Sequence, residues 1–119
     1  MGTDSFLLVV EDEDSIRIPL KDYLTRVGFS VLVASDGVGA IKHLLDHPVA
    51  AMITDYRMDI LGGDYWVRFL ERFCPGLPVL VTSGFLKSDL KHPFEVMTKP
   101  YTFHELEEKL RQMLGEGPS

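Results

Sequence analysis

Cysteine is nearly absent from this chain, since its 119 residues include a single one, Cys74. An internal disulfide is therefore excluded, and nothing in the sequence requires an oxidising compartment. Long apolar runs are absent as well, because the longest has five residues, far too few to span a membrane. Residues 1–5 also lack the basic start and apolar stretch of a secretory leader. We therefore expect a cytoplasmic protein without a membrane partner.

Basic residues are fewer than acidic residues in this chain. The chain carries 12 basic and 18 acidic residues, which gives a net charge of −6. Nucleic acid is therefore not expected as a direct partner, because a phosphate backbone requires a basic face. Repeats and low-complexity segments are also missing, and 45% of the residues are hydrophobic. These properties predict one domain over residues 1–119, with a core at about 6–114 and loose tails at 1–5 and 115–119.

Five short apolar runs punctuate the sequence, at residues 6–10, 30–34, 50–54, 78–82 and 95–98. They are rich in β-branched residues and do not alternate strictly between apolar and polar positions. This pattern is typical of strands that are covered on both faces, and it predicts a parallel sheet.

Amphipathic stretches between these runs predict helices. Inward-facing apolar residues of the first helix are Ile16, Leu20, Leu24 and Val27. Those of the second helix, at about 36–45, are Val38, Ile41, Leu44 and Leu45. The third helix carries a stripe made of Trp66, Phe69, Leu70 and Phe73.

The end of the chain has the clearest helix signals. Thr102 and Glu105 predict a capping box, and Tyr101 and Leu106 predict a hydrophobic staple across the same helix start. By contrast, only about twelve residues, 83–94, join the last two strands. That length leaves room for a short fourth helix of one or two turns.

Alternating strands and helices predict an open, doubly wound α/β sheet with helices on both faces. The functional crevice of such a sheet lies beyond the carboxyl ends of its strands. Glu11 and Asp12 follow the first strand, and Asp55 follows the third. Thr82 ends the fourth strand and Lys99 follows the fifth. Three carboxylates, a hydroxyl and an ammonium are therefore expected in one crevice.

These five side chains suit phosphoryl transfer to an aspartate. Three neighbouring carboxylates repel one another, and Mg²⁺ would relieve the repulsion because it prefers oxygen ligands. A carboxylate nucleophile, Mg²⁺, a lysine and a hydroxyl are the groups that such a transfer uses. Acidic residues after strands also serve as helix N-caps, and Asp12, Asp14 and Asp36 are open to that simpler interpretation.

Four segments in order resemble the response-regulator receiver domain family, over about residues 6–114. They are FLLVVEDE, ITDYRMDILGG, PVLVTSG and MTKPYT, one at each of four strand ends. The resemblance implies a flavodoxin-like (CheY-like) five-stranded parallel sheet with the strand order 2-1-3-4-5. It also implies that Gly63 opens the third helix.

The resemblance assigns a role to each residue of the crevice. Asp55 would be the phosphoacceptor, and Thr82 and Lys99 would hold the phosphoryl group. Mg²⁺ would be held by a set of four groups: the carboxylates of Asp12 and Asp55, Glu11 through a water molecule, and the backbone carbonyl of Arg57.

Receiver domains accept their phosphoryl group from a phosphohistidine, on a histidine kinase or a histidine phosphotransfer domain. The resemblance therefore implies a switch in a two-component phosphorelay that acts on a downstream protein effector. It would not be an enzyme beyond self-catalysed phosphorylation and slow autodephosphorylation. No DNA-binding segment is recognised after the receiver pattern, so direct control of transcription is not expected.

Two positions depart from the family pattern. Asp59 stands where the family usually has proline, and Val96 stands where it usually has tyrosine or phenylalanine. Since valine has one preferred rotamer, it cannot report phosphorylation by swinging as an aromatic ring does. We therefore expect modest changes in the last strand and helix, with output through 83–93. A phosphorylation-independent interaction module is the alternative that these departures favour.

Other α/β families fit less well. A haloacid dehalogenase-type phosphatase needs a second aspartate two residues after the first, where this chain has Arg57. A flavodoxin needs a phosphate-cradling loop after its first strand, and the acidic residues 11–14 would repel a phosphate there. A small hydrolase of another kind stays open at this point and would be revealed by turnover of a phosphate ester.

Overall fold

The computed structural model describes residues 5–84 and 94–115. Its strands are β1 (Phe6–Val10), β2 (Val31–Ala34), β3 (Val49–Asp55), β4 (Val79–Ser83) and β5 (Glu95–Thr98). Its helices are α1 (Asp14–Arg26), α2 (Gly37–Asp46), α3 (Gly63–Phe73) and α4 (Phe103–Met113). All five predicted strands are confirmed, with each end within one residue of its predicted place.

The strands form a parallel sheet in the order β2-β1-β3-β4-β5. This is the order that the resemblance implied. β1 and β3 are neighbours at the centre, so the residues that follow them emerge side by side. Thr82 of β4 is in register with Asp55 of β3.

Two apolar layers cover the sheet, one on each face. Leu7 and Val9 of β1 pack with buried residues of α1 and α4 on one face. Leu8 and Val10 pack with α2 and α3 on the other. β1 is therefore buried on both sides, which explains why its sequence is continuously apolar.

The inward faces of two helices differ from the prediction. Val38 and Leu45 of α2 were expected to face inward, but they are 45% and 80% exposed. The predicted Ile41 and Leu44 do pack against the core, and Gly37 and Ala40 complete the buried side of α2. Small residues serve there because the helix start lies close to neighbouring backbone. In α3, Phe73 is also exposed, while Val67 takes a place in the core.

Helix starts follow the local signals in part. Thr102 and Glu105 form the predicted capping box of α4. Asp36 caps α2, since its Oδ1 accepts a hydrogen bond from the backbone N–H of Gly39 at 2.8 Å. Asp14 is not a cap; it lies in the first turn of α1 and forms an ion pair with Arg17.

Several predictions fall outside the described residues. The predicted short helix within 83–94 and the predicted output segment 83–93 fall mostly on residues 85–93, which are outside the described ranges. The predicted tails are described only at residues 5 and 115. Within residues 5–84 and 94–115, none of the helices combines the length and the apolar character that a membrane span requires.

Candidate functional site

Three carboxylates meet at the carboxyl ends of the two central strands. Glu11 and Asp12 directly follow β1, and Asp55 is the last residue of β3. Each of them offers one oxygen, and these oxygens lie within 4.8 Å of one another. Glu11 and Asp55 are 3% and 5% exposed, whereas Asp12 lies nearer the solvent. The sequence-predicted acidic cluster is therefore assembled at one point.

Lys99 reaches into this cluster from the end of β5. Its ammonium nitrogen lies 3.1 Å from Asp55 Oδ2 and 3.3 Å from Glu11 Oε1. Its backbone N–H donates to the carbonyl of Ser83 at 2.7 Å, which ties the residue to the end of β4. One ammonium thus bridges two of the three carboxylates.

The local charge balance is negative, and the pKa values reflect it. Burial, together with the nearby charge of Asp55, raises the pKa of Glu11 to about 7. Burial alone would lower the pKa of Lys99, but the charges of Asp55 and Glu11 outweigh it and the net shift is upward. One ammonium does not neutralise three carboxylates, so the cluster fits an additional cation.

Thr82 lies beside Asp55 on the neighbouring strand. The residue is 2% exposed, and its carbonyl accepts the backbone N–H of Tyr56 at 2.8 Å. Paired residues on parallel strands project to the same face, so the register brings the hydroxyl and the Asp55 carboxylate to one side of the sheet.

Trp66 fixes the end of β3, a role that the sequence did not suggest. The fully buried indole Nε1 donates to Thr54 Oγ1 at 2.9 Å. The Thr54 hydroxyl in turn donates to the carbonyl of Asp55 at 3.1 Å. A core aromatic on α3 is therefore connected by two hydrogen bonds to the backbone of Asp55. An indole N–H needs a partner when it is buried, and that requirement is the one sequence-level signal for this link.

The β1 end is held by contacts that the sequence also did not suggest. Arg17 Nη1 donates to the carbonyl of Glu11 at 2.9 Å, and the backbone N–H of Glu13 donates to Glu11 Oε2 at 3.2 Å. Tyr101 lies close enough for the charge of Glu11 to matter. Burial and that charge raise the pKa of Tyr101 to about 12.

The loop between β3 and α3 packs tightly against the start of α2. A Cβ atom on Gly37 would lie 2.6 Å from the carbonyl oxygen of Leu61. Leu61 itself has a left-handed backbone with φ of +50°, and Gly63 has φ of +61°. The loop closes on itself, since the Gly63 N–H donates to the carbonyl of Tyr56 at 2.6 Å. The segment that carries Arg57 is thus held from both sides.

An open cleft of about 630 Å³ lies over the cluster. Asp12, Asp55 and Lys99 line it, together with Arg57 and the exposed Asp59 from the β3–α3 loop. The cleft therefore gives a solvent-borne group access to the Asp55 carboxylate. Asp59, at the position where the family usually has proline, adds a further negative charge to its rim.

The profile of a family described as "Response regulator receiver domain" matches residues 7–111. A chemotaxis protein CheY homolog of Campylobacter jejuni is 33% identical, over 93% of this chain and 93% of its own length. The sensor histidine kinase TmoS of Ectopseudomonas mendocina is 29% identical over 92% of this chain, which spans only 12% of that kinase.

Solved structures show the same fold. The chemotaxis protein CheY4 of Vibrio cholerae superimposes with a TM-score of 0.83 at 21% identity, over 92% of this chain and 98% of its own. At that identity the likeness concerns the fold, and the side chains at the strand ends must be judged from their own geometry.

Proposed function

The chain belongs to the family of response regulator receiver domains, and from that premise we propose that Asp55 accepts a phosphoryl group from a phosphohistidine. Receiver domains are switches of two-component systems rather than enzymes in the usual sense, and they interact with histidine kinases and downstream effectors. One observation carries the proposal: the Asp55 carboxylate lies on the cleft floor, 3.1 Å from Lys99 and within reach of two further carboxylates.

A divalent cation, which we propose to be Mg²⁺, fits the acidic cluster. Asp12 and Asp55 would be direct ligands, Glu11 would act through water, and the carbonyl of Arg57 would complete the protein's share. When bound, Mg²⁺ would offset the repulsion between an incoming phosphoryl group and the carboxylates. The chemistry of the donors supports this choice, since they are all oxygens and their charge is only partly balanced by Lys99.

Three side chains would carry the transfer itself. An Asp55 carboxylate oxygen attacks phosphorus, the new P–O bond forms, and the P–N bond to the donor imidazole breaks with its electron pair left on nitrogen. Lys99 is already at hydrogen-bond distance from Asp55 and would hold a phosphoryl oxygen after the transfer. Thr82, in register beside Asp55, would donate its hydroxyl to another oxygen.

A direct test maps the acyl phosphate. The chain is incubated with acetyl phosphate and Mg²⁺, the product is reduced with borohydride, and the modified residue is located by peptide sequencing in a mass spectrometer. Modification at Asp55 alone supports the proposal. Modification only at other carboxylates, or none, would overturn it.

Asp12→Ala should weaken Mg²⁺ binding at least ~10-fold, because it removes a charged ligand. Glu13→Ala is the matched control, since Glu13 is the next residue and also lies at the cleft, but it is not one of the three clustered carboxylates. Titration followed by the fluorescence of Trp66 would measure both affinities. A larger loss in Glu13→Ala than in Asp12→Ala would show that the ligands are wrongly assigned.

The phosphorylation-independent alternative is not favoured, because all of the side chains expected for the phosphorylated form are present and the acidic ones are assembled. That alternative was suggested by Val96 and Asp59, the two positions that depart from the family pattern. Val96 packs partly buried against the core on the α2–α3 face, and output through the segment 83–93 stays a prediction from the sequence. The cytoplasmic location stays a prediction from the sequence.

A further inference from the structure

Helix α3 carries a stripe of aromatic residues beside its buried face, and the two ends of the stripe are exposed. We define the aromatic stripe as Tyr65, Phe69 and Phe73, which follow one another at intervals of four residues. Tyr65 is 74% exposed and Phe73 is 63% exposed, while Phe69 is partly buried. The rings of Phe69 and Phe73 lie 5.0 Å apart between centroids. Phe69 also packs against the core beside Trp66, but Tyr65 and Phe73 lie outside the core, so fold stability does not account for these two exposed rings.

Two arginines flank the aromatic stripe. The guanidinium of Arg68 lies 5.7 Å from the ring centroid of Tyr65, and that of Arg72 lies 5.5 Å from the ring of Phe73. Together with Glu71, these arginines and the stripe line an open groove of about 500 Å³. Stacking on a ring orders a guanidinium while leaving its N–H groups free to donate.

Unlike three other arginines, Arg68 and Arg72 form no ion pair within the described part of the chain. Arg17, Arg26 and Arg111 each pair with a carboxylate. In residues 5–84 and 94–115, neither Arg68 nor Arg72 has a carboxylate within ion-pair distance. The chain as a whole has a net charge of −6, but the groove carries two arginines and only one acidic residue, Glu71, so its local charge is positive.

We propose that this face of α3 binds an acidic amphipathic helix of a partner protein. Aromatic residues and arginine dominate the energetics of protein interfaces. A stripe with a four-residue interval over about two turns matches the spacing by which one helix recognises another. The unpaired guanidinium groups select a partner with aspartate or glutamate beside its apolar residues. This inference does not depend on phosphorylation of Asp55.

Two synthetic peptides test the charge preference. Both have leucines spaced for one helix face in an alanine-rich background, and they differ only in flanking residues, glutamate in one and lysine in the other. We expect the glutamate peptide to bind at least about tenfold more tightly by fluorescence anisotropy. Amide shifts of the full chain should then change mainly along α3.

Variants test whether the preference for the glutamate peptide depends on this face of α3. The double variant Arg68→Gln, Arg72→Gln should lose the preference for the glutamate peptide, while Phe73→Ser should weaken binding of both peptides. The double variant Lys21→Gln, Lys42→Gln removes the same charge from exposed positions elsewhere and should bind as the wild type does. Thermal melts check that all variants are folded.

Several outcomes would overturn the proposal. Equal binding of the two peptides, no binding of the glutamate peptide at millimolar concentration, or amide shifts outside α3 would do so. A dimer of the chain that Phe73→Ser dissociates would instead assign the face to a second copy. Sedimentation with anionic vesicles that the arginine variant abolishes would assign it to a lipid surface.

Discussion

Asp55→Asn is expected to abolish the gain of one phosphoryl group when the chain is incubated with acetyl phosphate and Mg²⁺. The amide has nearly the same shape as the carboxylate, and its oxygen can still accept a hydrogen bond from Lys99, so the site should stay assembled. The amide is, however, a far weaker nucleophile and cannot form the mixed anhydride. Intact-mass spectrometry measures the effect as a loss of the phosphorylated species.

Asp59→Asn provides the matched control for this experiment. Asp59 is a carboxylate of the same cleft, but it is exposed and is not one of the three clustered carboxylates. The control should label as the wild type does. Undiminished labelling of Asp55→Asn would show that another residue is the acceptor and would remove the basis of the proposed function.

The second large effect concerns stability without metal. The pKa of Glu11 is about 7 in the folded chain against an ordinary value of 4.5, so the folded state binds more protons than the unfolded state between these values. Stability contributed by this group is therefore present at low pH and is lost as pH rises from about 4.5 to 7. A shift of this size corresponds to about 3 kcal/mol at most.

The variant Glu11→Gln should not lose stability in this way as pH rises. The glutamine keeps an oxygen for the backbone N–H of Glu13 but carries no charge beside Asp55. In EDTA, denaturant unfolding should show the variant and the wild type nearly equal at pH 4.5, and the variant more stable at pH 8 by a few kcal/mol at most. The difference between the two proteins isolates Glu11 from other titrating groups. A variant that is less stable than the wild type at pH 8 would contradict the charge balance inferred for the cluster.

The strand ends were predictable from the sequence for a simple physical reason. Parallel strands bury both faces and read as apolar runs, so the first polar residue after each run marks its carboxyl end. Because those ends share one edge of the sheet, Glu11, Asp12, Asp55 and Lys99 were expected together before any distance was known. The order of the strands came from the family resemblance, since periodicity does not encode which strands are neighbours.

Inward faces of helices were less predictable. In α2, hydrophobicity favoured Val38 and Leu45, but the small residues Gly37 and Ala40 are the ones that are buried, and Gly37 lies so close to Leu61 that no side chain fits there. In α3, the sequence predicts that Trp66, Phe69 and Phe73 share the core face, but the structure buries Trp66, packs Phe69 partly against the core and leaves Phe73 exposed. Apolar character marks candidates for burial, whereas steric fit decides between them.

The hydrogen bonds that hold the site residues in place could not be predicted from the sequence. The hydrogen bonds from Trp66 to Thr54 and from Arg17 to the carbonyl of Glu11 depend on the packing of helices on the sheet. No local pattern specifies such distances. The residues were visible, but their partners emerged only with the tertiary structure.

The close approach of Gly37 to Leu61 has an evolutionary consequence. A side chain at position 37 would meet both the carbonyl oxygen and the Cγ of Leu61, at 2.6 and 2.9 Å. The nearest of these atoms belongs to the backbone, so no exchange of the side chain at position 61 would make room, and among related chains we therefore expect position 37 to stay glycine. The start of helix α2 would in this way be constrained by the loop beside the cleft, although α2 contributes no side chain to the acidic cluster.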